Sequence, residues 1–131
     1  MKTSVSTGTP WEAAYGYRRA VRHGPFVCVA GTTSTGGDGT VLDPDDAHAQ
    51  ARRCFASIEA ALAALGASLA DVVRTRMYVV DVARDGDAVG RAHGEAFGAL
   101  VHPPAATLVE VRALIDPAMR VEIEAEAFVA P

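Results

Sequence analysis

Two cysteines, with no CxxC and no Cys/His spacing, leave this 131-residue sequence without the marks of a disulfide framework or a zinc site. Cys28 falls in an apolar, strand-like run and Cys54 on a helical face, so both are expected as reduced, buried thiols. Lys/Arg-rich runs are also missing, and the formal net charge is −4. That excludes the basic footprint a nucleic-acid partner would need. No stretch approaches the roughly 18 apolar residues of a spanning helix. The N-terminal MKTSVSTGTPWEAAYGY has one lysine and no apolar signal core. A cytoplasmic protein with no membrane partner is therefore expected. The glycine-rich stretch 31–44 is not followed by GK[ST], and GxSxG and HExxH do not occur. Asp43, Asp45 and Asp46 lack the spacing of a calcium loop, and His23, His48, His93 and His102 lack metal spacing. Neither a metal nor a cofactor is expected.

The sequence is half hydrophobic (50%) and about a fifth charged (21%), which suits one globular domain over residues 1–131. Tyr15 to Val21 and Pro25 to Ala30 read as two strands joined by a polar turn at Arg22, His23 and Gly24. Gly31 to Pro44 reads as a loop. From Asp45 to Leu65, Ala47, Ala51, Cys54, Phe55, Ile58, Leu62 and Leu65 recur at helical spacing, and Gly66 follows as a C-terminal stop. Val72 to Val82 reads as a strand that alternates too weakly to have one wet face, with Val73, Thr75, Met77 and Val79 on one side and Arg74, Arg76, Tyr78 and Val80 on the other. A helix over Asp87 to Val101, stopped by Pro103 and Pro104, comes next. The order is β-β-α-β-α-β-β. It predicts an α+β domain in which two helices cover one face of a mixed sheet. The mixed face of the 72–82 strand suits burial by a neighbouring subunit.

The last stretch, PPAATLVEVRALIDPAMRVEIEAEAFVA, reads as a strand, a short turn and a second strand with Glu122, Glu124 and Glu126 on a single face. Together with RTRMYVVDV at 74–82 and AGTTST at 30–35, this wording resembles the RidA/YjgF family of imine and enamine deaminases. The resemblance runs from about Tyr15 to Val129. It implies a chorismate-mutase-like fold, assembly as a homotrimer and small-molecule sites in clefts between subunits.

In deaminating members of that family, an arginine two residues beyond the motif proline grips the substrate carboxylate; the matching residue here is Ala106. Leu108 stands where a cysteine often occurs, and Ala30 where a serine precedes the glycine matched by Gly31. The chain thus resembles a divergent subgroup lacking the carboxylate-binding arginine. Glu122 matches the glutamate that positions or activates the attacking water, a general-base role. Tyr17 matches a tyrosine at the cleft mouth. By the same resemblance Ala30, Gly31, Ala106, Thr107 and Leu108 line the cleft, and Arg91 replaces an asparagine near it. Arg91 and Arg76 are the candidates for a displaced cation, and His93 is the one histidine of interest.

Two functions stay open. One is hydrolysis of a small imine or enamine by Glu122 and water, weak on simple amino-acid imines because the arginine is gone. The other is a trimeric protein that binds or senses a small metabolite without turnover. A ribonuclease role is disfavoured by the acidic charge and the lack of paired histidines.

Overall fold

The computed structural model describes residues 1–131. Its elements in chain order are β1 (Lys2–Val5), α1 (Pro10–Tyr15), β2 (Ala20–His23), β3 (Phe26–Thr32), α2 (Ala47–Ala64), a 3₁₀ turn at Leu69–Asp71, β4 (Val72–Val79), α3 (Val82–Phe97), β5 (Ala105–Glu110) and β6 (Val121–Phe128). The six strands form one mixed sheet in the order β1-β2-β3-β6-β4-β5. This is the expected α+β architecture, with corrections at the N-terminus and in the strand pairing.

Asp46 caps α2 by accepting a bond from the Ala49 amide at 2.9 Å, and Gly66 takes φ 78° just beyond its end. Between these signals Ala47, Ala51, Cys54, Phe55, Ile58 and Leu62 are buried. Asp81 caps α3 through the Arg84 amide at 3.0 Å, so this helix starts five residues before the expected Asp87. α2 and α3 pack on each other and on the sheet. Phe55 meets Phe97 edge-on at 5.5 Å. Val89, Ala92 and Phe97 of α3 share one buried cluster with Val121, Ile123, Ala125 and Ala127 of β6. The helices therefore cover the odd-numbered face of β6 and leave its glutamates on the other.

Four expectations are corrected. The segment Tyr15 to Arg19 is not a strand: Tyr15 ends α1, and β2 begins only at Ala20. The turn of the β2–β3 hairpin is Gly24–Pro25, because His23 still pairs with Phe26; Gly24 has φ 61°, as a tight hairpin requires at that position. The last two strands are not joined by a short turn. β4 lies between them, parallel to β5 and antiparallel to β6, and residues 111–120 form the long return rather than a short turn. Finally, a bulge between Val72 and Arg74 expels Val73, so Val72 takes the buried place beside Thr75, Met77 and Val79. No helix is long and apolar enough to cross a membrane.

Candidate functional site

The site is built around an irregularity in β3. Val29 pairs with Ala125 and Thr32 with Ile123, so Ala30 and Gly31 together oppose Glu124. Such a two-against-one bulge bends a strand and re-aims its side chains. Here it brings the Gly31 backbone against the Glu122 carboxylate, so closely that a side chain on residue 31 would collide with Oε2. A larger residue at this position would have to push the Glu122 carboxylate aside.

The three glutamates of β6 share the open face as expected, yet they differ in their partners. Glu124 accepts the Tyr78 hydroxyl at 2.6 Å, and Glu126 accepts Arg76 Nη1 at 2.8 Å. The Glu122 carboxylate enters no hydrogen bond or ion pair, although its backbone pairs with β4. Its half-buried carboxyl is pushed above the ordinary range by desolvation, an effect opposed by the Arg19 charge and reinforced by Glu124. A carboxyl of this kind, raised and without a partner, is a stronger base than an ordinary glutamate and is suited to taking a proton from water.

Arg19 completes the cluster. Its Nη2 donates to the Gly31 carbonyl at 2.8 Å, and its guanidinium lies 5.8 Å from the centre of the Tyr17 ring. Tyr17 owes its place to the preceding turn of helix. Pro10 opens α1, Gly16 closes it with φ 73°, and buried Glu12 ties the approach to the helix. The Glu12 carboxylate accepts the Thr7 hydroxyl at 3.0 Å and the Thr9 hydroxyl at 2.9 Å, with both amides nearby. Burial alone would raise its pKa, but hydrogen bonds from Ser6, Thr9 and Thr7 bring it down to about 2.

Of the expected site residues, Tyr17, Ala30, Gly31 and Glu122 lie in this region of one chain. Ala106, Thr107 and Leu108 do not join them. They lie on the edge strand β5, separated from β6 by β4. Ala106 is exposed, Thr107 stands beside Arg76, and Leu108 packs partly on the core beside Met77. Arg91 is exposed on α3, where its Nε bonds Asp87 at 3.0 Å, and the sheet lies between it and Glu122. Arg76 is held by Glu126 and, at 3.7 Å, by Glu124. His93 packs between Phe55 and Phe97 with Nε2 2.8 Å from the Thr75 hydroxyl, and burial lowers its pKa. A hollow of about 240 Å³ on the open face is walled by Val21, Cys28, Ala30 and the paired Arg76 and Glu126. It adjoins the Gly31 bulge without containing Glu122. Arg19 was not among the expected site residues; its contact with the Gly31 carbonyl is made across the β2–β3 pairing and leaves no signal in the sequence.

The family model described as Endoribonuclease L-PSP matches residues 7–129. The chain belongs to this family, the RidA/YjgF family. A crystal structure of a YjgF/YER057c/UK114 family member from Mycobacterium tuberculosis is 50% identical and superposes with a TM-score of 0.87, covering 98% of this chain and 100% of that one. An uncharacterized protein of Streptomyces coelicolor is 40% identical over 124 residues, which is 95% of this chain and 90% of that protein. A RutC family protein of Pyrococcus abyssi is 32% identical over 112 residues, 86% of this chain and 85% of that one. The mixed α+β fold is the one seen in solved RidA/YjgF-family structures.

Proposed function

We propose that the chain is a cytoplasmic homotrimer whose intersubunit clefts take a small, reactive imine or enamine and hydrolyse it with Glu122 as general base. One wall of the cleft is Tyr17, Gly31 and Glu122. The other is β5 of a neighbouring copy, with Ala106, Thr107 and Leu108. The division of these residues within one chain supports this reading, as do the unpaired edge of β5 and the open sheet face with Val109 43% exposed.

The observation that carries the proposal is the unpartnered Glu122 carboxyl over the Gly31 bulge. In the reaction, a water oxygen attacks the imine carbon as Glu122 takes one of its protons, and the C=N electron pair moves to nitrogen. Glu122 then returns the proton to that nitrogen. The hydroxyl proton then passes by way of Glu122 to the same nitrogen as the C–N bond breaks and the C=O bond forms, and the nitrogen leaves as ammonia. Ala106 removes the anchor used by deaminating relatives, which is worth about 1.5–3 kcal/mol for a charged hydrogen bond. Simple amino-acid imines are therefore poor substrates. That same replacement favours a second reading, binding of the metabolite without turnover.

The test is keto-acid release from 2-iminobutanoate generated in situ, with wild-type protein and Glu122→Gln. Acceleration that the variant loses by about 10²- to 10⁴-fold supports hydrolysis. Release no faster than in buffer excludes turnover of this imine and leaves either a different substrate or binding without turnover.

A further inference from the structure

Most arginines of this chain with a side-chain bond are committed to carboxylates or several carbonyls. Arg53 pairs with Asp43, Arg84 with Asp85, Arg91 with Asp87 and Arg120 with Asp85. Arg76 lies between two glutamates, and Arg22 holds the carbonyls of Gly24 and Leu65. Arg19 is different. It is half-buried, one of its donors is used, on the Gly31 carbonyl at 2.8 Å, and its plane is steadied by Tyr17. A guanidinium has five N–H donors in a fixed fork, so the rest of this one is available.

The position of Arg19 relative to Glu122 gives that availability a direction. Arg19 bonds the Gly31 carbonyl, and Glu122 lies where a side chain on Gly31 would stand. The two opposite charges thus flank one residue, yet no ion pair closes between them. A gap is left between a free cation and a free carboxylate.

We infer that Arg19 is the anion anchor of this site, holding the carboxylate of a small ligand on the Gly31 side while the carbon next to it faces Glu122. The inference rests on the functional reading of the Glu122 site and names the ligand class it selects. It also moves the anchor from β5 to the chain that carries the base. Ligands whose carboxylate would need an arginine on the β5 wall lose their contact, while those that extend toward Tyr17 and Arg19 gain one. Arg19 thereby determines specificity without taking part in proton transfer.

The experiment compares 2-oxobutanoate with its methyl ester, titrated by NMR into wild type, Arg19→Gln, Arg19→Lys and Glu122→Gln. Wild type is expected to bind the acid more tightly than the ester. Arg19→Gln should reduce that preference by about 10- to 150-fold, the span of a charged hydrogen bond, and Arg19→Lys should restore part of it. If Arg19→Gln melts early, Arg19→Met, which keeps the apolar stem, replaces it as the charge-free variant. Equal acid and ester binding in wild type, or a preference unchanged without the Arg19 charge, overturns the inference. Loss of turnover in Glu122→Gln with an Arg19-independent preference sinks the anchor and leaves the base standing. Arg19-dependent acid binding without any turnover does the reverse.

Discussion

Glu122 lies against Gly31 so closely that its carboxylate fills the space a side chain on that glycine would need. The neighbouring glutamates of β6 are bound to Tyr78 and Arg76, which leaves this one free for chemistry. The β3 bulge makes the difference, because it sets the Gly31 backbone under Glu122 instead of a side chain.

Gly31→Ala is therefore expected to displace the carboxylate and spare the fold. Gly31 is not held at positive φ, and the colliding atom is the end of a flexible side chain. Unfolding in urea should show a loss of about 1–3 kcal/mol or less. Ligand binding or turnover at the site should fall by at least tenfold. Unchanged function would mean that Glu122 works from another position.

Glu122→Gln is expected to stabilise the protein at neutral pH. The folded-state pKa of Glu122 is raised by desolvation, so the folded protein holds this proton more tightly than the unfolded chain. Stability from this group is present at low pH and lost as pH rises through the folded value. Thermal melts should show the variant above wild type at pH 7, with the gap closing toward pH 4. A variant less stable than wild type at both would contradict the assignment.

Glu12→Gln carries the opposite sign. The carboxyl is lowered from 4.5 to about 2, its burial outweighed by hydrogen bonds from Ser6, Thr9 and Thr7. Its stabilisation is complete above the unfolded value and is lost as pH falls through about 2. The variant should lose about 1–3 kcal/mol at pH 7, and the difference should shrink in acid. Because Glu12 secures the approach to α1 and Tyr17, ligand binding should weaken with it.

On the proposed correspondence of Ala106 with the carboxylate-binding arginine, Ala106→Arg would supply that arginine. Ala106 is exposed on an edge strand, so the chain has room for it. Turnover of a small amino-acid imine should rise by about 10- to 150-fold. A variant that folds, assembles and gains nothing would show that β5 does not face the Glu122 wall. Sedimentation at micromolar concentration should give three times the 13.6 kDa chain mass; a monomer would remove the second wall altogether.

The parts of the fold set by local periodicity were legible in the sequence. The stripe from Ala47 to Leu62 and the stop at Gly66 give α2 nearly to the residue. β1 is different: Lys2, Thr3 and Ser4 are exposed, and the strand exists because it pairs with β2, a tertiary fact. The start of α3 was masked by Val79, Val80 and Val82, which continue the look of a strand past the Asp81 cap. The pairing of β5 and β6 with β4 was hidden for a similar reason, since sequence neighbours suggest a hairpin and register does not show in one strand alone. At the site, the three glutamates could be placed on one face from alternation. Which of them lacks a partner depends on Tyr78, Arg76 and the bulge, and the nearness of Arg19 depends on the Gly31 carbonyl.

The most direct test of Glu122 as the base is the pH dependence of keto-acid release by the wild-type protein. The rate should fall on the acid side with a single carboxyl titration lying above the ordinary glutamate range, and that limb should vanish in Glu122→Gln. A profile that is flat across that range, or one that the variant reproduces, would contradict the role given to Glu122.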